Sequence, residues 1–205
     1  MFRRRDCLTV GLILAVGVGT GFGARRAWGQ VAENAAAFVR QIGDRLVAVV
    51  NSNQSLSDKR SGIAQVVETA VDVNGIAQFC LGRFWRIATP DQQRRFVIEF
   101  HQVLVTNISS KLGDYRGVRV TVQRSRQQDE DAIVTTLVER PNNPPTTVDW
   151  VIEQPATNPK VVDVVAEGTS LRLTQRQDYS SYLTRNNNDV DALINAMKQQ
   201  AAQNG

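Results

Sequence analysis

The chain has 205 residues, 42% of them apolar and 21% charged, which suits a single globular domain with a buried core and excludes collagen-like and disordered chains. Two cysteines and one histidine are too few for a disulfide framework or for the usual four-ligand zinc site. The formal charge is +4, but residues 1–29 hold five of the 24 basic residues and one of the 20 acidic ones, so the remainder balances and offers no basic footprint for nucleic acid.

Residues 1–29 read as a cleavable signal peptide, leaving 30–205 as one mature domain. Met1–Asp6 is basic, residues 7–24 carry no charge, and Ala27-Trp28-Gly29 sets small residues where a signal peptidase cuts, which predicts cleavage before Gln30. Five glycines make the apolar run a poor lasting membrane span. Arg4-Arg5-Asp6-Cys7-Leu8 resembles a twin-arginine export signal, with the Sec route as the alternative. Cys7 leaves with the peptide, so Cys80 is the single mature cysteine and reads as a small buried apolar residue.

Helical spacing then runs over 32–51, with Phe38, Ile42, Leu46, Val49 and Val50 on the inner side. Ser55 or Ser57 caps a second helix to about residue 69, with Ile63, Val66 and Val67 inward. Short helices are predicted over 73–80 and 81–88. Thr89-Pro90-Asp91-Gln92 is a capping box with proline at the first helical position, and it opens a long helix to about 112. Its inner stripe is Phe96, Phe100, Val103, Leu104 and Ile108. Gly113 and Gly117 end it. The period then changes to two: 118–124, 132–140, 146–154 and 160–166 are rich in Val, Thr and Ile, and the turns between them are short enough to demand antiparallel hairpins. Helices resume over 171–183 and 189–200. The expected fold is therefore α+β, a meander sheet packed against several helices.

Sites of chemistry are sparse. His101 is the sole histidine and lies one position off the inner stripe of its helix. Gly168-Thr169-Ser170 lacks the second glycine of a nucleophile elbow, and no phosphate-binding loop with its lysine is present. Asp72, Asp149, Asp163 and Glu167 fit hairpin and helix-end roles. No catalytic residue, metal ligand or cofactor is predicted. What stands out is the density of large apolar residues: Phe79, Leu81, Phe84, Trp85, Phe96 and Phe100 fall within 22 positions.

The segment from Val71 to Gln92 resembles the signature of the MlaC family, the toluene-tolerance or Ttg2-type proteins. Leu81, Gly82, Trp85, Arg86, Ala88, Thr89 and Gln92 meet its pattern, followed by Phe96, Phe100, Val148-Asp149-Trp150, Asp163, Glu167-Gly168 and Ser170, over roughly residues 33–198. The resemblance implies a curved, NTF2-like meander of about four to five strands enclosing an apolar cavity with helices. It implies a periplasmic carrier that holds phospholipid acyl chains and shuttles lipid between an outer-membrane lipoprotein complex and an inner-membrane ABC transporter complex with its periplasmic lipid-binding subunit. Bound lipid is then cargo, and a hopanoid-type lipid is the alternative cargo. Expected cavity residues are Phe79, Leu81, Phe84, Trp85, Phe96, Phe100, Leu104, Ile108 and Trp150. Expected rim or docking residues are Arg83, Arg86, Arg116 and Arg140, each near an element end. Ile108 departs from the family pattern, where a tyrosine is implied. Two rival readings are an enzyme acting on a small apolar substrate, with His101 or an acid such as Asp149 pointing into its pocket, and a non-carrier periplasmic scaffold or interaction protein with a filled core and no cavity.

Overall fold

The computed structural model describes residues 21–112 and 114–203, so the expected signal segment lies outside them over 1–20. Helix α1 spans Gly21–Asn51 and runs through the expected cleavage point. Its start precedes the predicted one by 11 positions because nothing between Ala24 and Ala32 except Gly29 opposes a helix. Helix α2 is Leu56–Ala70, and Ser55, not Ser57, is its cap: the Oγ accepts from the Asp58 N–H at 3.1 Å. Where α2 crosses α1, Gly62 lies so close that a Cβ there would sit 2.9 Å from Val49 Cγ2.

Helix α3, Val73–Leu81, is capped by Asp72 and leads into a 3₁₀ turn, Gly82–Arg86, within the 81–88 stretch where a second short helix is expected. Helix α4 is Pro90–Ser109, and both bonds of the predicted capping box are made: Gln92 N–H to Thr89 Oγ1 at 3.2 Å, and Thr89 N–H to Gln92 Oε1 at 2.9 Å.

The sheet is an antiparallel meander of β1 (Arg119–Gln128), β2 (Asp131–Glu139), β3 (Thr146–Glu153), β4 (Lys160–Ala166) and the two-residue β5 (Thr169–Ser170), in that spatial order. A bulge at Gln123 interrupts the β1–β2 register. It switches the parity of β1, so Val120 and Val122 above it and Ser125 below it share the helix-facing side with Val138, Thr136 and Val134, while Arg124 and Arg126 point the other way. Without the extra residue those arginines would face the core. β5 was not predicted. Glu167 and Gly168 adopt left-handed φ values of 52° and 79°, the geometry of a two-residue hairpin loop, and glycine at the second position fits it without strain. Helices α5 (Leu171–Arg185) and α6 (Val190–Gln203) close the chain.

Helix α1 lies along β1 and β2, and α2 packs on α1 and α4. Helices α3 to α6 form a bundle beside the free edge of β4. That edge is covered at one end by β5 and at the other by Val71, which bridges Val161 in parallel, so few ladder groups stay open.

Candidate functional site

Three apolar clusters make up the interior. The bundle cluster joins Ala77, Cys80, Leu81, Phe84, Phe96, Phe100, Tyr179 and Leu183. The sheet cluster sets Ala35, Val39 and Ile42 of α1 and Val66 of α2 against Ala132, Val134, Ile152 and Val161. A third gathers Val50, Ile63, Val67, Val105, Leu112 and Val118. They meet along a seam of half-buried side chains. Leu46 and Val71 touch both the sheet cluster and the third; Val73 and Leu104 touch both the bundle cluster and the third. Val138, Trp150 and Val164 of the sheet border the same clusters and are also half-buried. Side chains at the centre of each cluster already have their contacts, whereas the seam residues keep apolar surface uncovered. The seam therefore offers an apolar ligand uncovered surface directly beside the packed interior.

The expected cavity residues separate on this map. Phe96 is fully buried and Phe100 is 6% exposed; both ring edges or faces meet Tyr179, at centroid distances of 5.7 and 6.4 Å. Leu81 and Phe84 are buried in the same bundle cluster. Phe79 and Trp85 are half-buried against it. The Phe79 ring lies within 4.7 Å of the Arg172 guanidinium and 4.8 Å of that of Arg176. Leu104 lies on the seam, and Trp150 lies in the sheet cluster, not among the bundle aromatics. Ile108 is 36% exposed, because α4 passes the edge of the core in its last turn. The sequence reading set Leu46 on the inner side of α1 but did not name it for the cavity, and it missed Val71, Val73 and Tyr179. The signal for Tyr179 was present four positions before Leu183, on the buried stripe of α5.

Polar groups around the sheet are used structurally. Trp150 Nε1 donates to Thr136 Oγ1 at 2.9 Å, and that hydroxyl donates to the Val148 carbonyl. On the opposite face Thr135 Oγ1 donates to Asp149 Oδ1 at 2.6 Å and accepts from Arg124 Nε. Asp163, 6% exposed, accepts from Ser170 Oγ at 2.6 Å and from the Arg172 and Val164 N–H groups, with the Arg172 guanidinium 3.5 Å away. Ser170 also caps α5 by accepting from the Leu173 N–H. Asp163 and Ser170 thus fix the corner from β4 through β5 into α5.

Burial pushes the Cys80 thiol up to about 12, so it stays protonated. Burial likewise raises Tyr179, whose hydroxyl has no partner among the described residues. His101 Nε2 is 3.9 Å from Glu68 Oε1 on α2 and has no hydrogen-bond partner among the described residues. Among those residues no three His, Cys, Asp or Glu side chains gather as a metal site, and no helix is long and apolar enough to cross a membrane.

The four expected rim arginines fall in two places. Arg83 and Arg86 are exposed on the 3₁₀ turn. Arg116 is exposed in the α4–β1 loop, and Arg140, at the end of β2, stacks on Tyr115 of that loop at 5.0 Å.

No curated protein matches this chain. Among solved structures, the phospholipid-binding protein from Ralstonia solanacearum, determined in complex with a phospholipid, has a similar fold: the TM-score is 0.70 at 24% identity, covering 83% of this chain and 98% of that one. The family model described as MlaC protein matches residues 40–199, a span that holds the seam, the whole sheet and all but the end of the bundle. The chain belongs to the MlaC family.

Proposed function

We propose that this protein is a lipid carrier. It holds acyl chains along the seam between α1, α2, α4 and the sheet, and shuttles lipid across the periplasm between an outer-membrane lipoprotein complex and an inner-membrane ABC transporter complex. The observation that carries this reading is that half-buried Leu46, Val71, Val73 and Leu104 are each shared between two apolar clusters, with half-buried Val138, Trp150 and Val164 of the sheet bordering one cluster each. Family membership and the phospholipid held by the Ralstonia solanacearum protein of similar fold support it. Phe79 and Trp85 are half-buried against the bundle cluster, which the seam also borders.

Two acyl chains with about 30 carbons would cost roughly 25 kcal/mol to expose to water. A carrier that meets the membrane directly exposes little of that surface during transfer, so the net energy stays near zero and the partners set direction. Residues 1–29 direct export and are removed. Arg83 and Arg86 on the 3₁₀ turn, and Arg116 and Arg140 beside the β2–β3 hairpin, are the docking candidates, because arginine can fork onto carboxylate or phosphate.

The test is extraction of lipid from phospholipid vesicles by the purified protein, with the lipid in the protein fraction quantified after vesicle removal. The expected result is saturable extraction near one lipid per protein. Extraction no greater than by an unrelated globular protein would remove the carrier reading.

A further inference from the structure

We propose that the pocket between the 3₁₀ turn and α5 is a binding site for a phosphate-ester anion, held by Arg83, Arg176 and Ser180. This goes beyond the acyl-chain reading and stands on its own geometry. The pocket has a volume of about 190 Å³, and those three side chains line it together with Phe84 and Gly82. That volume is too small for acyl chains and large enough for a phosphate with the first atoms of its ester.

Both guanidinium groups belong to exposed residues and rest against aromatic rings. Arg83 lies 4.7 Å from the Phe84 ring centroid, and Arg176 lies 4.8 Å from that of Phe79. Arg176 Nη1 donates to the Phe79 carbonyl at 3.3 Å, which leaves its other N–H groups for a ligand. Gly82 makes room for it. At φ 58° it carries no side chain, and a Cβ there would lie 3.2 Å from the Arg176 Cζ. Such pre-positioning lowers the entropy lost on binding.

Among the described residues neither Arg83 nor Arg176 pairs with a carboxylate. The buried acid Asp163 is engaged by Arg172, Ser170 and two backbone N–H groups. Both guanidinium groups line the one pocket from solvent-exposed residues, so an anion entering it gains two charge-assisted partners. Guanidinium forks match the tetrahedral oxygens of phosphate with paired hydrogen bonds, and the Ser180 hydroxyl adds a donor. A second groove of about 480 Å³ shares Arg83 and Phe84 and adds Arg86 and Ile87, which is 67% exposed. It gives the remainder of the ester somewhere to lie. An exposed isoleucine beside arginines also suits the surface of an anionic bilayer. The same chemistry would take a lipid headgroup or a soluble phosphate ester.

The test titrates sn-glycerol 3-phosphate into ¹⁵N-labelled protein at fixed ionic strength, with sodium chloride as the control. Two arginine Nε–H signals should shift saturably with the phosphate and not with chloride. Affinity should fall about tenfold in R83Q and in R176Q, the loss of one charge-assisted pair. Arg176→Lys keeps the charge but not the fork, and should weaken binding with native thermal unfolding. Absence of a saturable shift, or unchanged affinity in R83Q and R176Q, overturns the site. Co-sedimentation with phosphatidylglycerol vesicles then names the source. Weaker sedimentation of both variants assigns the anion to a membrane lipid; equal sedimentation with weakened glycerol phosphate binding assigns it to a soluble ester. Vesicle-lipid extraction by the same variants reports the acyl chains separately, so failure of one reading is visible apart from the other.

Discussion

Trp150 and Phe96 are both large aromatics expected in one cavity wall, and their surroundings set them apart. Phe96 is fully buried among Phe100 and Tyr179, so its ring has no free face. Phe96→Ala should destabilise by about 3–5 kcal/mol in denaturant unfolding, with bound lipid per folded molecule unchanged. Trp150 is half-buried and anchored by its indole N–H to Thr136, so Trp150→Ala should cost less stability and remove more lipid. The reverse ranking would move the cargo into the bundle. Neither assignment could be read from spacing, because both residues satisfy an inward-facing pattern and only the tertiary arrangement decides which inward face is already filled. Ile108 shows the same limit. It follows Leu104 by four positions on the apolar stripe, yet the stripe outlasts the core it packs on.

A charge pair gives a pH test at the same scale. Hydrogen bonds from Gln92 and Arg95 hold the Asp191 carboxyl below its usual range, and Arg95 does the same first to Asp91. Arg95 Nη2 donates to Asp191 Oδ1 at 2.6 Å, tying α4 to α6. A depressed folded-state pKa contributes stability above the unfolded value and loses it as pH falls through the lowered one. Arg95→Gln should therefore melt below wild type at neutral pH, with the gap closing below about pH 4 and shrinking in high salt. A gap that persists at pH 2 would mean Arg95 acts through packing.

At the scale of elements, local chemistry was legible and long-range chemistry was not. The start of α4 could be read from four residues because a capping box needs only its own turn. The Ser170 cap belongs to a longer circuit, since its hydroxyl also donates to buried Asp163, seven positions back. Thr89→Ala should cost about 1 kcal/mol. Ser170→Ala should cost more, about 2–3 kcal/mol, because it removes a cap and leaves a buried carboxylate one donor short. Equal losses in chemical denaturation would contradict the circuit. The bulge at Gln123 and strand β5 escaped the sequence for a related reason. Alternation over 118–123 announces a strand, but the extra residue is defined by its partner strand, and two residues are too few for any period.

For the molecule as a whole, the switch from helical to alternating period near residue 118 was enough to announce an α+β chain, because helix and strand bury different faces. The order of strands followed from short turns. The seam did not follow, since it exists only where the third cluster borders the other two, and Val71 reaches it through a single parallel bridge to Val161 between α2 and α3. That seam is where the account is most exposed to test. Native mass spectrometry of the protein purified from cells without detergent, comparing wild type with Val71→Trp, measures it most directly. Wild type should carry a mass increment of one lipid, and the larger side chain should remove the increment while circular dichroism shows a folded protein. A bare protein mass in every wild-type preparation, or an increment that survives in folded Val71→Trp, would contradict the claim that this seam holds the cargo.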